Sequence, residues 1–245
     1  MKQDSPQLLV GLLLLSIALV VCAYIGVSGF RDIKKADDII TVTGSTKKDI
    51  TSNYVIWDFS ISNQGTDLQA LYSELSTSIK AVDAFLKTQN LPTEELVQDA
   101  VSTEPTTFYN KDANGQDISV AGYILHKHYQ LRSSDVKKIV SINQAASSLI
   151  SRGIPLVSSP LQYLYTDLPT LRMNLLEEAT KDAKERAMAM VKSTGSQLGA
   201  MKSARMGVFQ ITPRFTTQVD DYGSYDTTSL EKDVTAVVTV SFAVQ

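Results

Sequence analysis

From Leu8 to Phe30 the chain runs without one charged residue, and every Lys, Arg, Asp and Glu stands outside that stretch. A helix rises about 1.5 Å per residue, so a run of this length crosses a hydrocarbon core of roughly 30 Å with some tilt. It exceeds the apolar core of a secretory signal, about 7–15 residues, and reads as an uncleaved N-terminal transmembrane helix. The small-residue stretch Val21-Cys22-Ala23 leaves a cleaved signal open as an alternative. A lipoprotein signal fits poorly, because Val21 stands where a small residue should precede the acylated Cys22.

Orientation rests on the flanking charges. Lys2 precedes the span, whereas Arg31, Lys34 and Lys35 follow it, a count that by itself keeps the folded part inside. The downstream cations are diluted by Asp32, Asp37 and Asp38. A span this close to the start also commonly serves as an export signal, so the expectation is a single-pass protein with an exported domain. The alternative is a cleaved, soluble exported form. Cys22, the sole cysteine, lies in the apolar run, so the remainder suits an oxidising compartment without requiring one.

Residues 1–30 are thus the anchor or signal and 31–38 a charged linker, leaving 39–245 as one soluble α+β domain. Its composition is ordinary, with 43% hydrophobic and 20% charged residues in the whole chain and a net charge of −3. No Lys/Arg run gives nucleic acid an electrostatic handle.

Strands are expected at Ile39 to Gly44 and Asn53 to Ser62, the second with Val55, Trp57, Phe59 and Ile61 on its buried face. Helical spacing then takes over through Leu68, Leu71, Tyr72, Leu75, Ile79, Val82 and Leu86. Leu96 to Tyr109 and Ser119 to Leu131 read as strands around the Asn114-Gly115 hairpin signal. A second helix spans about Ser134 to Ser151, capped by Ser133 or Ser134, with Val136, Ile139, Val140, Ala146, Leu149 and Ile150 as its stripe. Leu161 to Tyr165 is strand-like. The third helix begins near Pro169 and carries Leu171, Leu175, Ala179, Ala183, Ala187 and Met190. Met201 to Ile211 and Lys232 to Val244 close the set as strands. Hairpins mixed with helical crossovers predict mixed or antiparallel sheets packed with three main helices.

Catalytic signatures are scarce. No Walker loop, dinucleotide fingerprint or metalloprotease helix occurs, so neither a catalytic residue nor a cofactor is expected. His126 and His128, the only histidines, face one side of a strand and offer two nitrogens. No acid of their own strand completes a ligand set, so they are read as surface or partly packed residues and no metal is expected. Asp112, Asn114 and Gln116 have the spacing of a calcium loop but lack its placed glycine and closing Glu; a hairpin turn accounts for them better. Asp220, Asp221 and Asp226 read as a solvated loop. Glu177, Glu178, Asp182 and Glu185, among Lys181, Lys184 and Arg186, read as a solvated helix face with local ion pairs.

The polar loop 212–230 is different. Phe215, Tyr222 and Tyr225 stand there among Thr, Asp, Gly and Ser, the composition of a contact surface, although aromatic cover for the core is the plainer reading.

The segment Ile40 to Thr46, the Trp57 strand, Glu178 to Ala187, Gly195 to Gly199 and the closing strand Lys232 to Val240 together resemble the SIMPL-domain family. Its members include the periplasmic immunogenic and oxidative-stress-associated envelope proteins of Gram-negative bacteria. Many members carry Pro-Asp before the second strand, where this chain has Thr51-Ser52-Asn53. The resemblance implies an exported α+β envelope domain, often oligomeric, connected with envelope or oxidative stress and without established catalytic residues. The resemblance also implies a bacterial inner membrane reached through the N-terminal helix, with the domain in the periplasm, or a cleaved and soluble periplasmic form, and a homo-oligomer or an envelope-protein partner is therefore expected. The competing expectation is a periplasmic ligand-binding module using a pocket or the 212–230 loop.

Overall fold

The computed structural model describes residues 11, 13–25, 38–111, 116–216 and 222–245. Residues 13–25 form a helix, α1, whose Leu13, Leu14, Leu15, Ile17, Leu19 and Val20 are exposed. Among the described residues no helix is long and apolar enough to cross a membrane. Leu8 and Phe30, the limits of the expected span, lie outside them, as do Asp112, Asn114, Gly115, Asp220 and Asp221.

Among the described residues from 38 onward the chain is α+β, with antiparallel sheets and four helices. Its contacts divide it into two compact units, one of residues 1–48, 170–209 and 235–245, the other of 49–169 and 210–234.

The first unit is a sheet with one long helix. Its strands are β1 (Ile39–Thr51), β8 (Leu198–Met206) and β10 (Glu231–Val244), in the order β1-β10-β8. Hydroxyl pairs link the first two strands, Thr41 to Ser241 at 2.9 Å and Thr43 to Thr239 at 3.2 Å. Alternate residues of β10, Ala236, Val238, Val240 and Phe242, are buried. The helix α5 (Leu168–Thr194) buries Leu171, Leu175, Ala179, Ala183, Ala187 and Val191. Met190, expected on this stripe, is exposed, and Val191 takes its place. A step of four residues slightly overshoots the turn of 3.6, so the position four after Ala187 still falls on the buried edge.

Gly44 fixes how closely β1 and α5 approach. A Cβ there would lie 2.2 Å from the carbonyl oxygen of Ala179 and 2.4 Å from the amide nitrogen of Ala183. Only a glycine opposite alanines lets strand and helix backbones meet at this distance.

The second unit carries the larger core. Its sheet runs β3 (Leu96–Gln98), β5 (Asp117–Ser133), β2 (Tyr54–Gly65) and β6 (Leu156–Ser158), with β4 (Ser102–Lys111) also paired to β5 and β7 (Gln162–Leu164) to β2, all antiparallel. The short β9 (Gln210–Pro213) pairs with β10. Val55, Trp57, Phe59 and Ile61 are the buried face of β2, as their alternation predicts. They cluster with Leu125, Tyr129 and Leu131 of β5 and with the apolar sides of α2 (Leu68–Thr88) and α3 (Val136–Ala145). Phe59 stacks between Trp57, 4.4 Å between ring centroids, and Tyr129, 4.9 Å. The indole N–H of Trp57 donates to Ser158 Oγ at 2.9 Å, so its one polar atom is satisfied.

Asp67 caps α2 by accepting the Gln69 and Ala70 amides. The stripe of that helix is narrower than its sequence suggests, since Leu68 and Tyr72 are exposed. The single helix expected from Ser134 to Ser151 is two: α3, then α4 (Ser147–Ser151). Its cap is Asp135, which accepts the Lys138 amide at 3.0 Å, while Ser133 Oγ accepts the amide of Asp135. Ile139, Ile142, Ala146 and Leu149 keep one buried helical face across the break at Ala146, and Ile150, at the edge of that face, is exposed. Leu96 to Tyr109 likewise divides into β3 and β4, and Met201 to Ile211 into β8 and β9.

Candidate interaction surface

The loop between β9 and β10 is tethered at both ends. On the outgoing side Phe215 adopts φ 65°, in the left-handed region that a bulky residue enters only under constraint. Its amide donates to Asp233 Oδ2 at 3.2 Å. The Arg214 guanidinium lies 5.0 Å from the Phe215 ring centroid, bonds Glu231 at 3.1 Å and stands 3.9 Å from Asp49.

On the return side the Ile211 amide donates to the Ser224 carbonyl, and the Asp226 amide to the Ile211 carbonyl. Asp226 then organises a turn, accepting from the Thr228 amide at 2.9 Å, the Thr228 hydroxyl at 2.8 Å and the Ser229 amide at 3.2 Å. Beneath it Lys232, 2% exposed, donates to the Asp226 carbonyl oxygen at 2.5 Å and sits 3.3 Å from the carboxylate. Burial alone would raise the Asp226 carboxyl, but the Thr228 and Ser229 donors and the Lys232 charge outweigh it and hold it down to about 2. Burial pushes the Lys232 ammonium below its ordinary value against the opposing pull of Asp226.

These tethers leave the aromatic side chains in solvent. Phe215 is 84% exposed, Tyr222 95% and Tyr225 51%. Phe215 and Tyr222 thus present most of their surface to solvent, and Tyr225 about half. Asp226, read from sequence as part of a solvated loop, is instead the loop's internal anchor. The run Asp226-Thr227-Thr228-Ser229 carried a usable signal, since an Asp two residues before a hydroxyl residue favours an Asx turn.

The acidic face of α5 also has a task beyond solvation. Asp182 Oδ2 accepts the Ser45 amide at 2.8 Å, and Glu178 Oε2 accepts the Thr46 hydroxyl at 2.9 Å. The Ser45 amide, and then Arg186 at 2.9 Å, hold the Asp182 carboxyl below the usual carboxylate range. Two grooves flank this helix, one lined by Lys184, Met188, Lys192 and Gly199, the other by Lys48, Met173, Glu177 and Lys181. Neither is lined by a histidine or cysteine.

The histidines stand elsewhere. His126 and His128 project from one face of β5, each beside an acid from a neighbouring strand: Glu104 of β4 is 3.9 Å from His126 Nε2, and Asp58 of β2 is 3.4 Å from His128 Nε2.

Antiparallel sheets, interleaved chain segments and a Gly-Ser-Thr stretch locked onto an alanine-striped helix define the class of this α+β protein. The segment Ile40 to Thr46 and the segment Glu178 to Ala187 touch at Gly44, Ser45 and Thr46. The family model SIMPL, described as a protein of unknown function (DUF541), matches residues 40–242. The chain belongs to the SIMPL family. No match was found among curated proteins.

Proposed function

We propose that this chain is a membrane-anchored, exported, non-enzymatic envelope protein that self-associates through the loop bearing Phe215, Tyr222 and Tyr225. The observation that carries the reading is the contrast between the tethered ends of that loop and the outward exposure of its three aromatics. Tethering lowers the entropy lost on docking, and burying each aromatic in an interface stabilises it by about 1.5–3 kcal/mol. Membrane anchoring is supported by the uncharged run from Leu8 to Phe30 and by the exposed apolar side chains of α1. Export, and a role in envelope or oxidative stress, are supported by the resemblance to the envelope proteins of this family.

The test is the solution mass of the detergent-solubilised chain by light scattering, corrected for detergent. The parent is expected well above its chain mass of 26.8 kDa. Joint replacement of Phe215, Tyr222 and Tyr225 by Ala should lower the mass and leave the melting temperature unchanged. An unchanged mass with a lowered melting temperature would refute the loop as an interface.

A further inference from the structure

His126 and His128 are the only histidines of the chain and lie two residues apart on β5, hence on one face of the sheet. The register places hydroxyl residues opposite both rings: Ser62 and Ser102 flank His126, and Ser60 faces His128. The acids come in diagonally from the strands on either side, Asp58 from β2 and Glu104 from β4.

The contact between His128 and Asp58 is not a good hydrogen bond. At 3.4 Å the Nε2 to Oδ1 distance exceeds the roughly 2.7–2.9 Å of a charge-assisted N–H···O bond. Both ring nitrogens of His128 lack a hydrogen bond although both are shielded from solvent. An unpartnered, desolvated nitrogen is costly, and a bound cation would relieve that cost. The distance matches a pair of ligands on one tetrahedral ion, because bonds of about 2.0–2.1 Å at the tetrahedral angle leave the donor atoms about 3.3–3.4 Å apart. Asp58 is also oriented from behind. Gln130 Nε2 donates to the same Oδ1 at 2.7 Å, and Arg132 Nε donates to Gln130 Oε1. Such outer partners characteristically hold ligand carboxylates in place.

We propose that this face of β2, β5 and β4 binds one divalent transition-metal ion of the zinc type, with His126 and His128 as nitrogen ligands, Asp58 as an oxygen ligand and Glu104 as the fourth. Imidazole with carboxylate suits Zn²⁺, Cu²⁺ and Ni²⁺, whereas Mg²⁺ and Ca²⁺ call for oxygen alone. As the side chains stand, no three such groups among the described residues are gathered closely enough to hold an ion. Binding therefore requires the two rings to turn toward each other from the positions they hold here.

Because the chain has two histidines, imidazole signals identify the site without ambiguity, provided that no histidine tag is present. The chelator-treated full chain is titrated calorimetrically with Zn²⁺ and, separately, with Mg²⁺. Cu²⁺ is then added and the coupled remote nitrogens of imidazole are counted by pulsed electron paramagnetic resonance. One Zn²⁺ per chain, weak Mg²⁺ binding and a signal from two imidazoles are expected. H126Q and H128Q should each reduce the signal to one ring and weaken Zn²⁺ by at least about tenfold, and D58N should weaken it by roughly tenfold while keeping both rings. The imidazole count on the parent does not depend on how any variant folds. The proposal is overturned by no saturation below about 1 mM Zn²⁺, by Mg²⁺ binding as tightly as Zn²⁺, by fewer than two imidazoles on the parent's Cu²⁺, or by an H128Q chain that titrates like the parent.

Discussion

Lys232 is the residue where burial and charge conflict most openly. Its ammonium is enclosed at the start of β10, and the Asp226 carboxylate and carbonyl are what make that enclosure tolerable. Asp226 has a folded value of about 2, below the ordinary value near 4, so its contribution to stability is complete above about pH 4 and is lost as the pH falls through about 2. A depression of this size corresponds to about 2 kcal/mol at neutral pH. In thermal melts the deficit of Asp226→Asn relative to the parent should therefore shrink steadily between about pH 5 and pH 2. A deficit that stays constant across that range would exclude the carboxylate as its source. At this scale the sequence is informative only where one strand suffices. The alternation of β2 announces Trp57 as core, and Trp57 is fully buried. The acids beside His126 and His128 were invisible, because Asp58 and Glu104 reach them only through the pairing register of three strands.

Among the elements, β1 and α5 show how a local pattern and a distant contact combine. The four-residue spacing of Ala179, Ala183 and Ala187 is legible in the sequence as a close-packing face, but the strand it meets is not. Gly44 looks unremarkable until its missing Cβ is seen to lie over the helical hydrogen bond between Ala183 and Ala179. Glu178 and Asp182 resemble any solvated face for the same reason, since their partners Thr46 and Ser45 are more than 130 residues away in sequence. Gly44→Ala should force strand and helix apart at a cost of about 1–3 kcal/mol. In a chain of this size that lowers Tm by roughly 2–4 °C per kcal/mol. An unchanged melting curve would mean that the two backbones separate freely. The break between α3 and α4 was hidden by a continuous apolar stripe: Ile139, Ile142, Ala146 and Leu149 lie on one buried face and fit one helix as well as two.

For the whole molecule, the chain leaves the first unit at Lys48, builds most of the second, and returns twice, at Thr170 and Thr235. Contact between residues far apart in sequence is thus built into both units, and no early fragment contains a complete one. The α+β elements run from Ile39 onward, after the predicted anchor. Removing residues 1–30 should yield a folded chain in the soluble fraction, whereas the full chain sediments with membranes. Retention of the shortened chain in the membrane pellet would show that another surface holds it there.

The carbonyl oxygen of Asp38 accepts the amide of Val244 at 2.9 Å, and Gln197 and Gln245 exchange two backbone hydrogen bonds. The first strand and the last therefore begin and finish at the same seam. A polypeptide continuing past Gln245 would emerge close to Asp38, so a fluorescent reporter fused there sits next to the start of β1. The two halves of a split reporter, placed ahead of Ile39 and after Gln245, would meet without any partner molecule.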